Sequence, residues 1–309
     1  MKKYFVNFAA LSGFALFFSA VLTLSSCSEE VMNLKEQENA TAPVTVRVSD
    51  FSVTTEEMPS GGGMTRAAEN PADYLGVGTI DLAFYSGATE VYKHTQLRDD
   101  NTSYTTFGEF SCNLPVGNYT MVVVGRGYFA DDVFTLTSPT VAGYTSDHVR
   151  ETFVATQAVN ITGTDPVNLS ATLERIVAKV LVVSTDGKLA EAKKVRTTFS
   201  ASGKGLNPST GLATTNTGFS NTVGVSTTAG TVSTSINFAF LYSDEQTMNV
   251  TVDVLNEAGD AICTHTIHNV PLKRNRITKL RGPIYTATSL TTSAFQLETD
   301  WLPDHTVNF

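Results

Sequence analysis

Apolar and polar residues alternate with a period of two along most of this chain, and glycine, proline and asparagine interrupt the alternation at short intervals. The first clear run is Val44-Thr45-Val46-Arg47-Val48, where three valines share a face, and the apolar set continues at Phe51 and Val53. Successive side chains of a strand point to opposite faces, so this spacing predicts a half-buried strand. Pro59 and the glycines at 61–63 break it. The same reading gives strands at Thr79–Tyr85, closed by Ser86-Gly87, and at Tyr119–Gly125. Further strands fall at Ile236–Tyr242 and at Met248–Leu255, where Met248, Val250, Val252 and Val254 alternate with polar residues. The turn residues Asn256-Glu257-Ala258-Gly259-Asp260 then lead into Ala261–Ile267, which is a hairpin signal. Only Asp147–Phe153 and Gly187–Lys194 read as short helices, and residues 200–235, rich in Ser, Thr, Gly and Asn, read as long loops or weak edge strands.

Short strands at regular intervals predict an all-β protein built from sandwiches. The stretch LPVGNYTMVVVG, Leu114 to Gly125, resembles transthyretin-like and other Greek-key sandwich modules. A second body is expected to open near Asp165, where Val167–Leu173 runs into Glu174-Arg175-Ile176-Val177-Ala178-Lys179-Val180. The expected organisation is two sandwich domains in tandem with few short helices. They span 43–164, with a leader strand and loop over 43–66, and 165–309, with a terminal strand over 293–309.

The N-terminus changes the picture. Lys2 and Lys3 precede a mostly apolar run from Phe8 to Leu24, which ends in Leu24-Ser25-Ser26-Cys27. A charged start, an apolar middle and small residues at the cut make a secretory signal over 1–26. The run is short for a membrane span of about 20 residues and carries Ser12, Gly13, Ser19 and Thr23. The final cysteine resembles a bacterial lipobox. That resemblance implies cleavage before Cys27 and its diacylation, with palmitate among the acyl chains. Ser28-Glu29-Glu30 resembles the signal that carries Bacteroidetes lipoproteins to the outer face of the outer membrane. Residues 27–42 are polar and aperiodic, as expected of a tether.

Composition and charge narrow the chemistry. The chain has 309 residues, 41% of them hydrophobic, and a net charge of −9, which argues against a nucleic-acid partner. Its basic residues cluster once, at Lys273-Arg274-Asn275-Arg276 with Lys279 and Arg281, and read as a solvated strand edge or turn rather than a phosphate site. Beyond Cys27 the cysteines are Cys112 and Cys263. They match no metal spacing and allow either one disulfide or two separately buried thiols. His265 and His268 are three apart on a predicted strand, so they face opposite ways and read as surface residues. Asp99-Asp100-Asn101 and Asp131-Asp132 lack the alternating oxygen donors of a calcium loop. No nucleophile–base arrangement, phosphate-binding glycine loop or metal set appears, so neither an enzyme activity nor a cofactor is expected.

Several segments together resemble the fimbrillin superfamily of Bacteroidales, the subunits of type V pili. They are the lipobox at Cys27, Thr65-Arg66-Ala67, the stretch Leu173–Val180, Val270–Gly282, and the tail through Asp300-Trp301. The resemblance implies a lipoprotein precursor of a pilus subunit serving cell adhesion. A trypsin-like surface protease would cut between Arg66 and Ala67, and the leader strand (Val44, Val46, Val48, Phe51, Val53) would leave. A neighbouring subunit's C-terminal strand would fill the groove by donor-strand exchange. Candidate donor residues are Phe295, Leu297, Trp301, Val307 and Phe309, and both segments also fit ordinary terminal strands. The implied partners are other fimbrial subunits in a head-to-tail polymer, the protease, and the outer membrane through the lipid. The glycines of Ser60-Gly61-Gly62-Gly63-Met64-Thr65-Arg66 suit an exposed, cleavable loop. Two other readings stand beside this one. One is an uncleaved outer-membrane anchor subunit of the same fimbriae. The other is a glycan-binding surface lipoprotein using Tyr85, Tyr92, Tyr104, Tyr128 or Tyr144.

Overall fold

A computed structural model describes residues 40–55, 65–100, 102–146, 148–286 and 296–298. The first body contains β1 (Thr41–Thr55), β2 (Thr65–Glu69), β3 (Thr79–Ser86), β4 (Thr89–Leu97), β5 (Glu109–Pro115) and β6 (Gly117–Arg126). After β7 (Phe134–Ser138) and β8 (Val141–Tyr144) come β9 (Thr152–Ile161) and β10 (Val167–Arg175). The second body contains β11 (Val177–Ser184), β12 (Lys194–Phe199), β13 (Gly205–Asn207), β14 (Leu212–Ala213), β15 (Phe219–Gly224) and β16 (Thr234–Phe240). It closes with β17 (Glu245–Leu255), β18 (Ala261–Lys273), β19 (Ile277–Gly282) and β20 (Gln296–Glu298).

The first body is a sandwich folded from one continuous eight-stranded sheet. Strands β9, β6, β3 and β4 form one layer, in that order. Strand β10 joins β9 only through Glu174 and Arg175, then pairs with β1, which pairs with β5. One core lies between the layers. It takes Val44, Val46, Val48 and Phe51 from β1 and Ala171 and Leu173 from β10, facing Ile80, Leu82 and Phe84 of β3 and Met121 and Val123 of β6. Strand β3 is buried on both faces, and Ala83 and Tyr85 point the other way into a second core.

The second body packs the sheet β16-β11-β19-β20 against β15-β12-β17-β18. Alternating Val180 and Val182 of β11 meet Val250, Val252 and Val254 of β17 in its core. The predicted hairpin turn is present, with the Asp260 amide donating to Asn256 Oδ1 at 2.9 Å between β17 and β18.

A small sheet, β14-β13-β8-β7, takes two strands from each body and ties them together. Gly143 of β8 is required at this crossing. A side chain there would sit 2.7 Å from the Lys204 carbonyl and 2.8 Å from Gly205 Cα. Phe240 stacks on Tyr144 across the junction, with ring centroids 6.0 Å apart.

Two expectations change. Strand β10, which the pattern assigns to the second body from residue 165, completes the first. Its alternation reveals a buried face, whereas membership is decided by parallel pairing with a strand some 120 residues earlier. No helix occurs among the described residues. Thr152 and Phe153 open β9, and the 187–194 stretch makes only a turn in which the Ala192 amide bonds the Leu189 carbonyl at 3.2 Å. Residues 205–224 carry three short strands, of which β14 and β15 lie at sheet edges, as the reading of weak edge strands in 200–235 allowed.

Candidate functional site

The predicted leader strand is the middle strand of its layer. Its first half runs antiparallel to β5, with Val44 opposite Cys112 and Val46 opposite Phe110. On its other edge β1 runs parallel to β10, with Val44 opposite Val167 and Phe51 opposite Leu173. Among the described residues, β5 pairs with β1 alone. Inward positions Ala42, Val44, Val46 and Val48 are all buried, and the register then slips between Val48 and Asp50. This bulge restores Phe51 to the inner face after an odd interval.

Phe51 is fully buried in the core. Its ring lies 5.1 Å from Phe153 and 5.8 Å from Tyr74, and those two rings meet edge-on at 5.6 Å. Gly125 of β6 makes the floor, because a methyl there would lie 2.9 Å from Phe51 Cε1 and 3.1 Å from Leu173 Cδ2. Tyr74 is held by its hydroxyl, which donates to Glu151 Oε1 at 2.8 Å and accepts from Arg175 Nη2 at 2.8 Å. Arg175 also pairs with Glu151 at 2.8 Å. Ala42 was missed by the sequence reading although it extends the valine alternation. Tyr74, Gly125 and Phe153 carried no local signal, because they come from three separate segments.

Arg66 lies in a strand. Residues Thr65–Glu69 form β2 antiparallel to the end of β1, placing Arg66 opposite Thr54 and Ala67 opposite Val53. Strand β2 is the end of its sheet path. Of the donor candidates, Leu297 lies in β20, opposite Leu280 at the edge of the second body. Cys27, Phe295, Trp301, Val307 and Phe309 lie outside the described residues, as do the glycines 61–63.

The segment just after β19 is fixed by Asp186. Its carboxylate accepts the amides of Ile284 and Tyr285, both at 2.9 Å, and the Thr286 hydroxyl at 2.8 Å. His265 departs from the surface expectation. It is buried, with Nε2 3.1 Å from the Ile284 carbonyl oxygen, while His268 is exposed. Cys112 and Cys263 are free thiols in different bodies, and burial pushes the Cys112 thiol up to about 11. Asp100 caps its own turn by accepting the Thr102 hydroxyl at 2.7 Å, and Asp132 pairs with Arg150 at 2.5 Å. Of the five tyrosines considered for a glycan platform, Tyr85 and Tyr144 are buried and unavailable. No group of His, Cys, Asp and Glu side chains among the described residues has a metal-binding arrangement.

No curated protein matches the sequence. Among solved structures, the fimbrial anchor protein Mfa2 from Porphyromonas gingivalis aligns with a TM-score of 0.48 at 12% identity, over 86% of this chain and 100% of that one. A candidate adhesin from Bacteroides ovatus aligns with a TM-score of 0.45 at 12% identity, over 79% and 87% of the two chains. A family profile matches residues 41–301. The chain therefore belongs to that family, described as a family of unknown function (DUF6562).

Proposed function

We propose that this protein is a structural subunit of a surface fimbria whose own β1 holds the polymerisation groove until it is removed. The observation that carries the reading is the position of β1 between β5 and β10, with its inward side chains filling the core. A strand withdrawn from the middle of a layer leaves two unpaired backbone edges and a row of empty side-chain sites. Such a groove is a template for strand addition from another chain. Burial of Val44, Val46, Val48 and Phe51 contributes on the order of 6–12 kcal/mol, so an intact leader is a firm block to assembly.

In this scheme Cys27 carries the lipid that tethers the precursor to the outer membrane. A trypsin-like surface protease cuts after Arg66 and frees the subunit from residues 27–66. The incoming strand is a neighbour's C-terminal segment containing Phe295, Leu297, Trp301, Val307 and Phe309. Contacts of this kind are head-to-tail and do not close, so they propagate a filament. Proteases bind extended, unpaired substrate. Because Arg66 is paired with β1, the edge strand β2 must fray before the cut.

That pairing favours a second reading, an uncleaved anchor subunit that keeps its leader and ends the fibre at the membrane. Limited trypsin treatment with N-terminal sequencing and size analysis separates the two. A single product beginning at Ala67 that then oligomerises supports the polymerising subunit, and Arg66→Ala abolishes both events. Resistance at Arg66 supports the anchor, and a clean cut at Ala67 without association refutes the polymerising role.

A further inference from the structure

The first sandwich is open on the side opposite the β9–β10 seam. There the edge strands β4 and β5 lie beside each other, and a cleft of about 410 Å³ runs between them under the 102–107 loop. At inward positions, where neighbouring strands carry aliphatic residues, β4 carries Tyr92, His94 and Gln96. Polar side chains on the inner face of a strand need a reason, because burying them costs free energy unless they are bonded.

Gln96 has one. It is buried, its Nε2 donates to the Glu109 carbonyl at 2.7 Å, and its Oε1 accepts the Gly108 amide at 2.7 Å. The amide thus fixes the far wall of the cleft. Tyr92 and His94 differ, because both are half-buried with their polar atoms open to the cleft, and neither the Tyr92 hydroxyl nor the His94 ring nitrogens hydrogen-bond to any described residue. His94 is held only by packing, edge-on to Phe110 at 6.0 Å, and Tyr92 packs against Phe84 at 6.4 Å. The loop above is held by its own contacts. The Tyr104 hydroxyl lies 2.7 Å from the carbonyl oxygens of both Leu97 and Arg98, and the Arg98 guanidinium sits 4.3 Å over the Phe107 ring. A site shaped in advance by such bonds loses little freedom when a ligand enters.

We infer that this cleft binds a short neutral oligosaccharide. Aromatic rings beside donors and acceptors that lack partners match the alternating C–H faces and hydroxyls of sugar rings, and the volume falls in the range of small-ligand sites. Further hydroxyls come from Thr105, Thr106 and Ser111. The one carboxylate in the lining, Glu109, is already paired with Arg47 at 3.2 Å, and no Lys or Arg lines the cleft among the described residues to select an acidic sugar. The chain's net charge of −9 further disfavours anionic ligands. This site lies on the β5 side of β1, away from the β1–β10 pairing, and it is complete in the uncleaved chain, where β1 supplies the strand partner of β5 and Arg47 pairs Glu109.

The test uses the intact chain after removal of its signal segment, titrated with lactose, N-acetyllactosamine, mannotriose and a sialylated trisaccharide. Calorimetry gives affinity, and nuclear magnetic resonance follows the His94 ring. At least one neutral sugar is expected to bind and shift the His94 signals, and the sialylated sugar is expected to bind more weakly. Tyr92→Phe keeps the ring and removes only the hydroxyl, so a loss of about tenfold in affinity with an unchanged melting temperature is expected. His94→Ala is expected to weaken binding by at least as much. Absence of binding to every neutral sugar overturns the inference, as does binding that both variants leave unchanged. Preferential binding of extended peptides along β4 overturns it in favour of strand addition.

Discussion

Phe51→Ala is the sharpest probe of how the leader strand is held. The side chain is fully buried among Tyr74, Phe153 and Leu173, over a glycine that leaves no room to spare. Removing a buried phenylalanine ring costs about 3–5 kcal/mol, through lost transfer energy and the cavity left behind. Gly125→Ala perturbs the same place in the opposite sense. Its methyl would lie 2.9 Å from the Phe51 ring, and overpacking of this kind costs about 1–3 kcal/mol. In the double variant the new methyl occupies space vacated by the ring, so the two losses must not add. A coupling of about 1 kcal/mol or more is expected, against near-additivity for independent sites. Urea unfolding followed by near-ultraviolet circular dichroism, which senses the packed Tyr74 ring, measures all four proteins. In chain cut after Arg66, Phe51→Ala is also expected to release the leader more readily, by about two to four orders of magnitude in equilibrium constant. A loss below about 1 kcal/mol for Phe51→Ala, or strict additivity in the double variant, refutes the placement of Phe51 as the plug of the groove.

Other perturbations test the surroundings. Asp81 and Arg126 form a buried pair at 2.8 Å, so Arg126→Ala strands a buried carboxylate and is expected to destabilise the fold by about 3–5 kcal/mol in denaturant titrations. Tyr85 is pushed up to about 12, chiefly by burial and then by Glu90 and Asp81. A folded-state value above the unfolded one favours the neutral form, so this contribution is complete below about pH 10 and is lost as pH rises toward 12. Unfolding midpoints measured across that window should fall for the parent chain and fall less for Tyr85→Phe. Asp186→Ala leaves the Ile284 and Tyr285 amides without their acceptor, and a loss of about 1–3 kcal/mol with faster amide exchange at those two residues is expected.

Much of this protein was written locally. The alternation at Val44, Val46 and Val48 sets which face of β1 is buried, because side-chain direction in a strand depends only on position. The turn at Asn256–Asp260 likewise forms from its own residues. What the alternation does not carry is a partner. Val167–Arg175 shows a buried face whichever body it joins, and only parallel pairing with β1 puts it in the first sandwich. The bulge after Val48, the three-ring pocket around Phe51, and the pairing of Arg66 with Thr54 all depend on residues distant in sequence or on competition between registers. The β4–β5 cleft is of the same kind, since Tyr92, His94 and Gln96 acquire meaning only when two edge strands from different layers come side by side. Periodicity determined the strands and their inner faces. Long-range pairing, whose contacts form only once the chain has closed its loops, determined which strand is held by which, and therefore that β1 sits between β5 and β10.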